Sequence, residues 1–160
     1  MAKHKEEKTN VMRVLDQKKI PYTAHTYDPE SGIDGVSVAR SLGQDPASVF
    51  KTLVTKAASG AYYVFDIPVA ENLDLKKAAR AVGEKSVAML PQKELLGLTG
   101  YVHGGCSPVG MKKQFPTVFH ATAPQYHTVC VSAGKIGAQV ECRPGDLIAL
   151  LRAKTADIIV

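Results

Sequence analysis

The chain has 160 residues, 45% hydrophobic and 22% charged, with 13 glycines and 9 prolines scattered along it. That is the length and make-up of a single domain, 1–160, able to bury its own core. No stretch approaches the roughly 20 apolar residues that cross a bilayer, and the charged start at 1–10 leads into no apolar run, so no membrane partner and no secretory leader are expected. The formal charge of +5 and pI near 9.1 suit a polyanionic partner without requiring one.

In chain order, residues 8–19 carry a helical pattern, with Thr9 as N-cap and Val11, Val14, Leu15 and Lys18 on one face. Ile20-Pro21 ends it. Residues 22–27 alternate as a strand, and 28–35 form a turn-rich loop containing Pro29, Gly32, Asp34 and Gly35. A short helix over 37–42 stops at Gly43, and Asp45-Pro46 opens another helical turn. Residues 49–56 and 61–67 make the clearest hairpin, rich in β-branched and aromatic residues about the turn Ala58-Ser59-Gly60. Along its first strand Phe50, Thr52 and Val54 point one way, and Lys51, Leu53 and Thr55 the other. A helix over 74–82 follows, capped by Asp74, with Lys76, Lys77 and Arg80 outward and Gly83 at its end. Residues 86–89 read as a strand and 91–98 as a helix. The stretch 100–116 is the least regular. Two more strands, 127–132 and 138–142, flank a turn at 134–137, and 144–151 closes as a helix. Hairpins mixed with short helices, without regular βαβ alternation, predict one compact α+β domain.

The familiar catalytic signatures are missing: no GxGxxG, Walker loop, HExxH or GxSxG. His4, His25, His103, His120 and His127 fall at no metal-ligand spacing, and Cys106, Cys130 and Cys142 are three distant cysteines with no CxxC pair. Neither a metal nor a cofactor is expected, nor a disulfide framework. A Ser-His-Asp triad is assembled by geometry, so spacing neither finds nor excludes it. The segment from Gly104 to Gly110 has two readings. Its glycines either let backbone N–H groups converge on a ligand oxygen, as an oxyanion hole requires, or simply make a tight turn. Lys112-Lys113 beyond it meets phosphate or solvent. Lys51 is a charge inside the best strand: either a lysine on a solvated face or a cation positioned for a ligand oxygen. Tyr27, at a strand end before a loop, either packs or serves as a stacking or hydrogen-bonding residue. Residue by residue, these observations give an α+β domain with a candidate oxyanion-binding loop and name no substrate.

Several stretches together resemble the YbaK family of free-standing editing enzymes. They are Phe50-Lys51-Thr52-Leu53-Val54, Pro68-Val69-Ala70, Leu73-Asp74-Leu75-Lys76-Lys77-Ala78-Ala79, and Thr99-Gly100-Tyr101 running into Gly104-Gly105-Cys106-Ser107-Pro108-Val109-Gly110-Met111-Lys112-Lys113. Val131-Ser132-Ala133-Gly134-Lys135 with Gly137 completes the set, in the family's order and over about 11–151. The resemblance implies a mixed, partly barrel-like sheet surrounded by short helices, and hydrolysis of the ester joining an amino acid to the tRNA 3′ end. The form of the glycine loop is similar to the branch that clears cysteinyl-tRNA(Pro). Deacylation of another mischarged tRNA such as alanyl-tRNA(Pro), by water, is the alternative. The implied partners are tRNA and prolyl-tRNA synthetase, and the implied location is the cytoplasm.

Residue by residue, the resemblance makes Lys51 the cation that holds the 3′-terminal nucleotide and aminoacyl group, and Gly104 the first glycine of the loop that steadies the scissile carbonyl. Gly105 and Pro108 belong to the same loop. Tyr27, Thr52 and Ser132 become pocket residues. Gln139 stands where some members carry Asp, which leaves an acidic role there without a bearer. In the cysteine branch the substrate's own thiol attacks its ester, giving a thiolactone and free tRNA, so the protein needs no nucleophile. Two other classes compete: a non-catalytic tRNA- or nucleotide-binding module, and a thiol enzyme using Cys106.

Overall fold

The structure, a computed structural model, describes residues 8–160. His4 and most of the charged N-terminal segment therefore lie outside the described residues. Helix α1 (Asn10–Gln17) begins as its sequence predicts: the Thr9 hydroxyl accepts the Met12 N–H at 3.2 Å, filling one of the donors a helix start leaves open. Val11, Met12 and Leu15 are buried, so Met12 takes the place expected of Lys18 on the apolar face. Strand β1 (Thr23–Thr26) follows, then a 3-10 turn at Pro29–Ser31 and helix α2 (Gly35–Ser41). This helix starts two residues before the expected boundary because Asp34, read as loop, is its cap: the Asp34 carboxylate accepts the Ser37 N–H at 3.1 Å and the Ser37 hydroxyl at 2.6 Å.

Strands β2 (Phe50–Ala57) and β3 (Tyr62–Pro68) form the expected hairpin, with Thr52 opposite Asp66 and Lys51 opposite Ile67. Helix α3 (Leu75–Ala81) carries the predicted Asp74 cap, which accepts the Lys76 and Lys77 N–H groups. Lys77 does not simply face outward; its ammonium reaches Asp157 at 2.9 Å and the Ile159 carbonyl at 2.9 Å, tying α3 to the C-terminal segment. Strand β4 (Val87–Met89) and helix α4 (Gln92–Thr99) come next, followed by a long segment without helix or strand. Strands β5 (Thr117–His120), β6 (Val129–Ser132) and β7 (Ala138–Cys142), helix α5 (Pro144–Leu151) and strand β8 (Lys154–Ala156) complete the chain.

Two of these strands, β5 and β8, escape the sequence reading. Each is short, and each pairs in parallel with a strand far away in sequence, β5 with β3 and β8 with β5. No hairpin turn advertises such pairing.

The strands form two sheets, β4-β2-β3-β5-β8 and β1-β7-β6. The larger one is covered on both faces. Phe50, Val54, Val64 and Phe119 face one core cluster, while Phe65, Ile67 and Val118 face another that includes Ala78, Ala79 and Ile158. The sheets meet at a single parallel bridge, Val49 to Cys130, so the β-structure curves without closing into a barrel. Ala39 of α2 packs at that seam with Val49, Val69 and Cys130. Burial at the seam holds the two sheet ends and α2 in fixed relation, and the site lies beside them. Among the described residues no helix is long and apolar enough to cross a membrane.

Candidate active site

A cavity of about 340 Å³ opens beside the seam, a size suited to a small ligand. Its walls come from the start of β2 (Phe50 to Leu53), the end of β6 (Ser132), the start of β7 (Gln139), Tyr27 after β1, the entry to α2, and the loop at His103, Gly104 and Cys106. Six of the sequence-predicted site residues are thereby brought together: Tyr27, Lys51, Thr52, Gly104, Ser132 and Gln139. They are up to 112 positions apart in the chain, from Tyr27 to Gln139. Gly105 and Pro108 are buried behind the wall and do not line it.

The glycine loop is built for close approach. Gly104 has φ of +90°, which costs an L-residue strain, and a Cβ there would lie 3.2 Å from Ile33 Cδ1. A Cβ on Gly105 would come within 2.9 Å of the Ile136 backbone nitrogen, so only glycine lets this loop seat against the 134–137 turn. Ser132 is the clasp between them. Its hydroxyl donates to the Gly105 carbonyl at 2.9 Å and accepts the Gly134 N–H at 3.0 Å. From below, the Tyr101 hydroxyl donates to the Val109 carbonyl at 2.6 Å and the Asn10 amide to the Gly110 carbonyl at 3.1 Å. Gly105 N–H donates to the Val102 carbonyl at 3.0 Å. Among the described residues, Gly104 N–H has no protein acceptor, and Gly104 itself lines the cavity.

Lys51 is half-buried, and among the described residues its ammonium makes no ion pair. Burial pulls its pKa below the usual lysine range, against the opposing field of Glu71. Gln139 is 4% exposed and its amide is already engaged: Gln44 Nε2 donates to Gln139 Oε1 at 2.8 Å, and Gln139 Nε2 to Gln44 Oε1 at 3.2 Å. Thr52 Oγ1 lies 2.6 Å from Oδ1 of Asp66, a carboxyl with no solvent exposure, and burial pushes the Asp66 pKa up to about 8. The other carboxyl oxygen, Oδ2, has no hydrogen-bond partner. Asp66 is the group that sequence reading missed. An acidic residue within the apolar run of β3 is the signal that marks it.

Cys106 lines the cavity but is 8% exposed, and burial, with the Asp66 carboxyl nearby, pushes its thiol up to about 12. At neutral pH it is a thiol, not a thiolate, and a poor nucleophile. Away from the cavity lining, His25 and Glu141 share the face of the smaller sheet with Cys130, their ligand atoms within 4.8 Å of one another. Spacing alone gave no hint of this cluster. His25 Nε2 lies 2.8 Å from Glu141 Oε1, the Thr128 hydroxyl donates to Glu141 Oε2, Gln44 Nε2 lies 3.6 Å from Cys130 Sγ, and the Cys130 thiol is pushed up to about 12 by burial.

Comparison with known proteins gives consistent results. Residues 33–150 match the model of the family described as the aminoacyl-tRNA editing domain. The chain is 46% identical over 160 residues to an Enterococcus faecalis protein named "Putative Cys-tRNA(Pro)/Cys-tRNA(Cys) deacylase EbsC", covering 99% of this chain and 98% of that one. Among solved structures, it is similar to the hypothetical protein APE2540, with a TM-score of 0.87, 22% identity, and coverage of 95% of this chain and 100% of the other. It is also similar to a structure described as a "putative trans-editing enzyme for prolyl tRNA synthetase", with a TM-score of 0.83, 24% identity, and coverage of 97% and 99%. These two solved structures share the fold.

Proposed function

This chain belongs to the aminoacyl-tRNA editing domain family, and on that premise we propose that it is a cytoplasmic trans-editing deacylase whose preferred substrate is cysteinyl-tRNA(Pro). The observation that carries this reading is the cavity itself. It gathers a half-buried cation without an ion pair, a backbone N–H without an acceptor and several fixed hydroxyl and amide groups, while its one cysteine is held as an unreactive thiol. Such a site positions and stabilises charge; it supplies no activated nucleophile of its own. A substrate that brings a nucleophile suits it.

In the proposed reaction the cysteinyl sulfur attacks the ester carbonyl carbon. The C–S bond closes a thiolactone as the C–O bond to the tRNA ribose breaks, and the thiol proton passes to the departing ribose oxygen. Negative charge gathers on the carbonyl oxygen during attack, where Lys51 and Gly104 N–H offer electrostatic and hydrogen-bond stabilisation. Tyr27 and Thr52 line the space for the aminoacyl group and terminal nucleoside. Ser132 acts through the loop it clasps, and Gly105 and Pro108 through the backbone path they set. Alanyl and prolyl esters lack the thiol, so selectivity follows from the chemistry. Prolyl-tRNA synthetase, as a partner, would supply the choice of tRNA.

Deacylation of cysteinyl-, alanyl- and prolyl-tRNA(Pro) tests the reading directly. Cleavage of the cysteinyl ester alone supports it. Cleavage of the alanyl ester in preference moves the nucleophile to water, and binding without cleavage leaves a binding module.

Two variants sharpen the test. Cys106→Ala is expected to keep kcat/KM within about threefold of the parent protein, since a thiol titrating near 12 contributes no nucleophile; a thiol enzyme would lose everything. Gly104→Ala is expected to lower kcat/KM about 100-fold, because displacing a positioned group by about an ångström is worth that much. The backbone strain of about 1–2 kcal/mol should shift Tm by only a few degrees.

A further inference from the structure

Asp66 has no role in the reaction as described above, yet it is the least comfortable group beside the cavity. It has no solvent exposure, its Oδ2 has no partner, and its one hydrogen bond runs to the cavity residue Thr52. An ionised carboxylate in that position would need a cation. Among the described residues none pairs with it, and Lys51 leaves the opposite face of β2. Neutral groups lie against it: Thr52 from β2, Phe119 in register on β5, and the Cys106 thiol from the glycine loop. The carboxyl is therefore held as the acid.

A neutral carboxyl can share the 2.6 Å contact with Thr52 in two ways. If Thr52 donates, the Asp66 O–H sits on Oδ2, a buried donor with no acceptor. If Asp66 donates, Oδ2 is a buried carbonyl oxygen, and orphaned acceptors are better tolerated than orphaned donors. The second arrangement also lets the Thr52 proton point into open space. We infer that Asp66 is a positioning residue for the reaction, its carboxylic O–H donating to Thr52 Oγ1 so that the Thr52 hydroxyl presents its proton to an oxygen of the bound aminoacyl ester. This inference rests on the deacylase reading. Loss of the Asp66 proton reverses the arrangement: the carboxylate takes the Thr52 hydroxyl as donor, and the cavity is left facing lone pairs.

The test is steady-state deacylation of cysteinyl-tRNA(Pro), corrected for spontaneous hydrolysis, between pH 6 and 9.5. The proteins compared are the parent, Asp66→Asn, Asp66→Val, Thr52→Val and the Asp66→Val/Thr52→Val double variant, each with its Tm recorded. Asparagine offers an N–H to Thr52 in place of the acid O–H and does not titrate. Asp66→Asn should stay within about threefold of the parent at pH 7, as one donor replaces another. Its rate relative to the parent should then rise as pH passes through about 8, where Asp66 ionises. Taking the ratio removes the ionisation of the substrate's own thiol. Asp66→Val should lower kcat about tenfold or more with little change in KM, and the double variant should be no slower than Thr52→Val, because both act through one hydroxyl. A folded Asp66→Val protein with full kcat overturns the inference, as do losses that multiply in the double variant or a ratio that does not change with pH. Absence of cleavage by the parent protein overturns the deacylase reading and the positioning role with it; cleavage by the parent with any of the former results overturns the positioning role alone.

Discussion

Lys51→Ala is expected to lower kcat/KM for cysteinyl-tRNA(Pro) by about 100- to 1,000-fold while leaving the fold intact, the loss typical of removing one preorganised charge-stabilising donor. The size follows from the setting. Lys51 sits on β2 between Phe50, buried in the core, and Thr52, hydrogen-bonded to Asp66, so its backbone cannot drift. Its ammonium is partly desolvated with no ion pair among the described residues, which makes its field felt by whatever enters the cavity. For the same reason its removal breaks no salt bridge, and Tm should move by no more than a few degrees. Lys51→Arg is not expected to rescue the rate, because a longer planar guanidinium cannot occupy the point position of an ammonium. Single-turnover cleavage separates this from a binding defect. If Lys51→Ala turns over at the parent rate, the cation belongs to tRNA docking or to solubility, and the mechanism loses its main electrostatic element.

Much of this arrangement is legible in the sequence where local physics decides it. Thr9, Asp45 and Asp74 cap helical turns as their residue types require, and the β2–β3 hairpin follows from β-branched runs about Ala58-Ser59-Gly60. The glycine loop carries its own evidence, since two glycines in sequence at a turn are needed where backbone meets backbone, as at Gly105 against Ile136. What sequence does not carry is pairing between distant segments. Strand β5 gains its place from β3 in parallel, across an excursion that includes α3, β4 and α4, and nothing near 117–120 signals it. The site follows the same division. Lys51 and Gly104 stand out as local oddities, whereas the engagement of Gln139 by Gln44, 95 positions away, and of Ser132 by Gly105, 27 away, exists only in the fold. Those two contacts change the roles these residues can take: Gln139 braces the wall rather than replacing an acid, and Ser132 fixes the loop rather than offering a free hydroxyl.

Asp66→Asn is expected to stabilise the protein, and to do so more strongly as pH rises. In the folded chain Asp66 keeps its proton up to about pH 8, whereas an unfolded aspartate releases it near 3.9. Between those values the folded state binds one proton more than the unfolded state, so unfolding becomes easier with each unit of pH. Integrated over the window of about four units, at about 1.4 kcal/mol each, the carboxyl withdraws on the order of 5 kcal/mol of stability by pH 8, and nothing further above it. Asparagine does not titrate. The Tm difference between Asp66→Asn and the parent should therefore be small near pH 4 and grow to about 10–20 °C at pH 8–9, taking about 2–4 °C per kcal/mol for a chain of this size. Thermal melts at half-unit steps would reveal the slope. A gap that does not change with pH would mean that Asp66 ionises normally and that its burial is relieved by water or motion. A gap of the expected form has a functional corollary. A residue that weakens the fold at neutral pH and above, and whose one hydrogen bond runs to the cavity residue Thr52, carries a cost in stability, and presentation of the Thr52 proton is the use the geometry gives it.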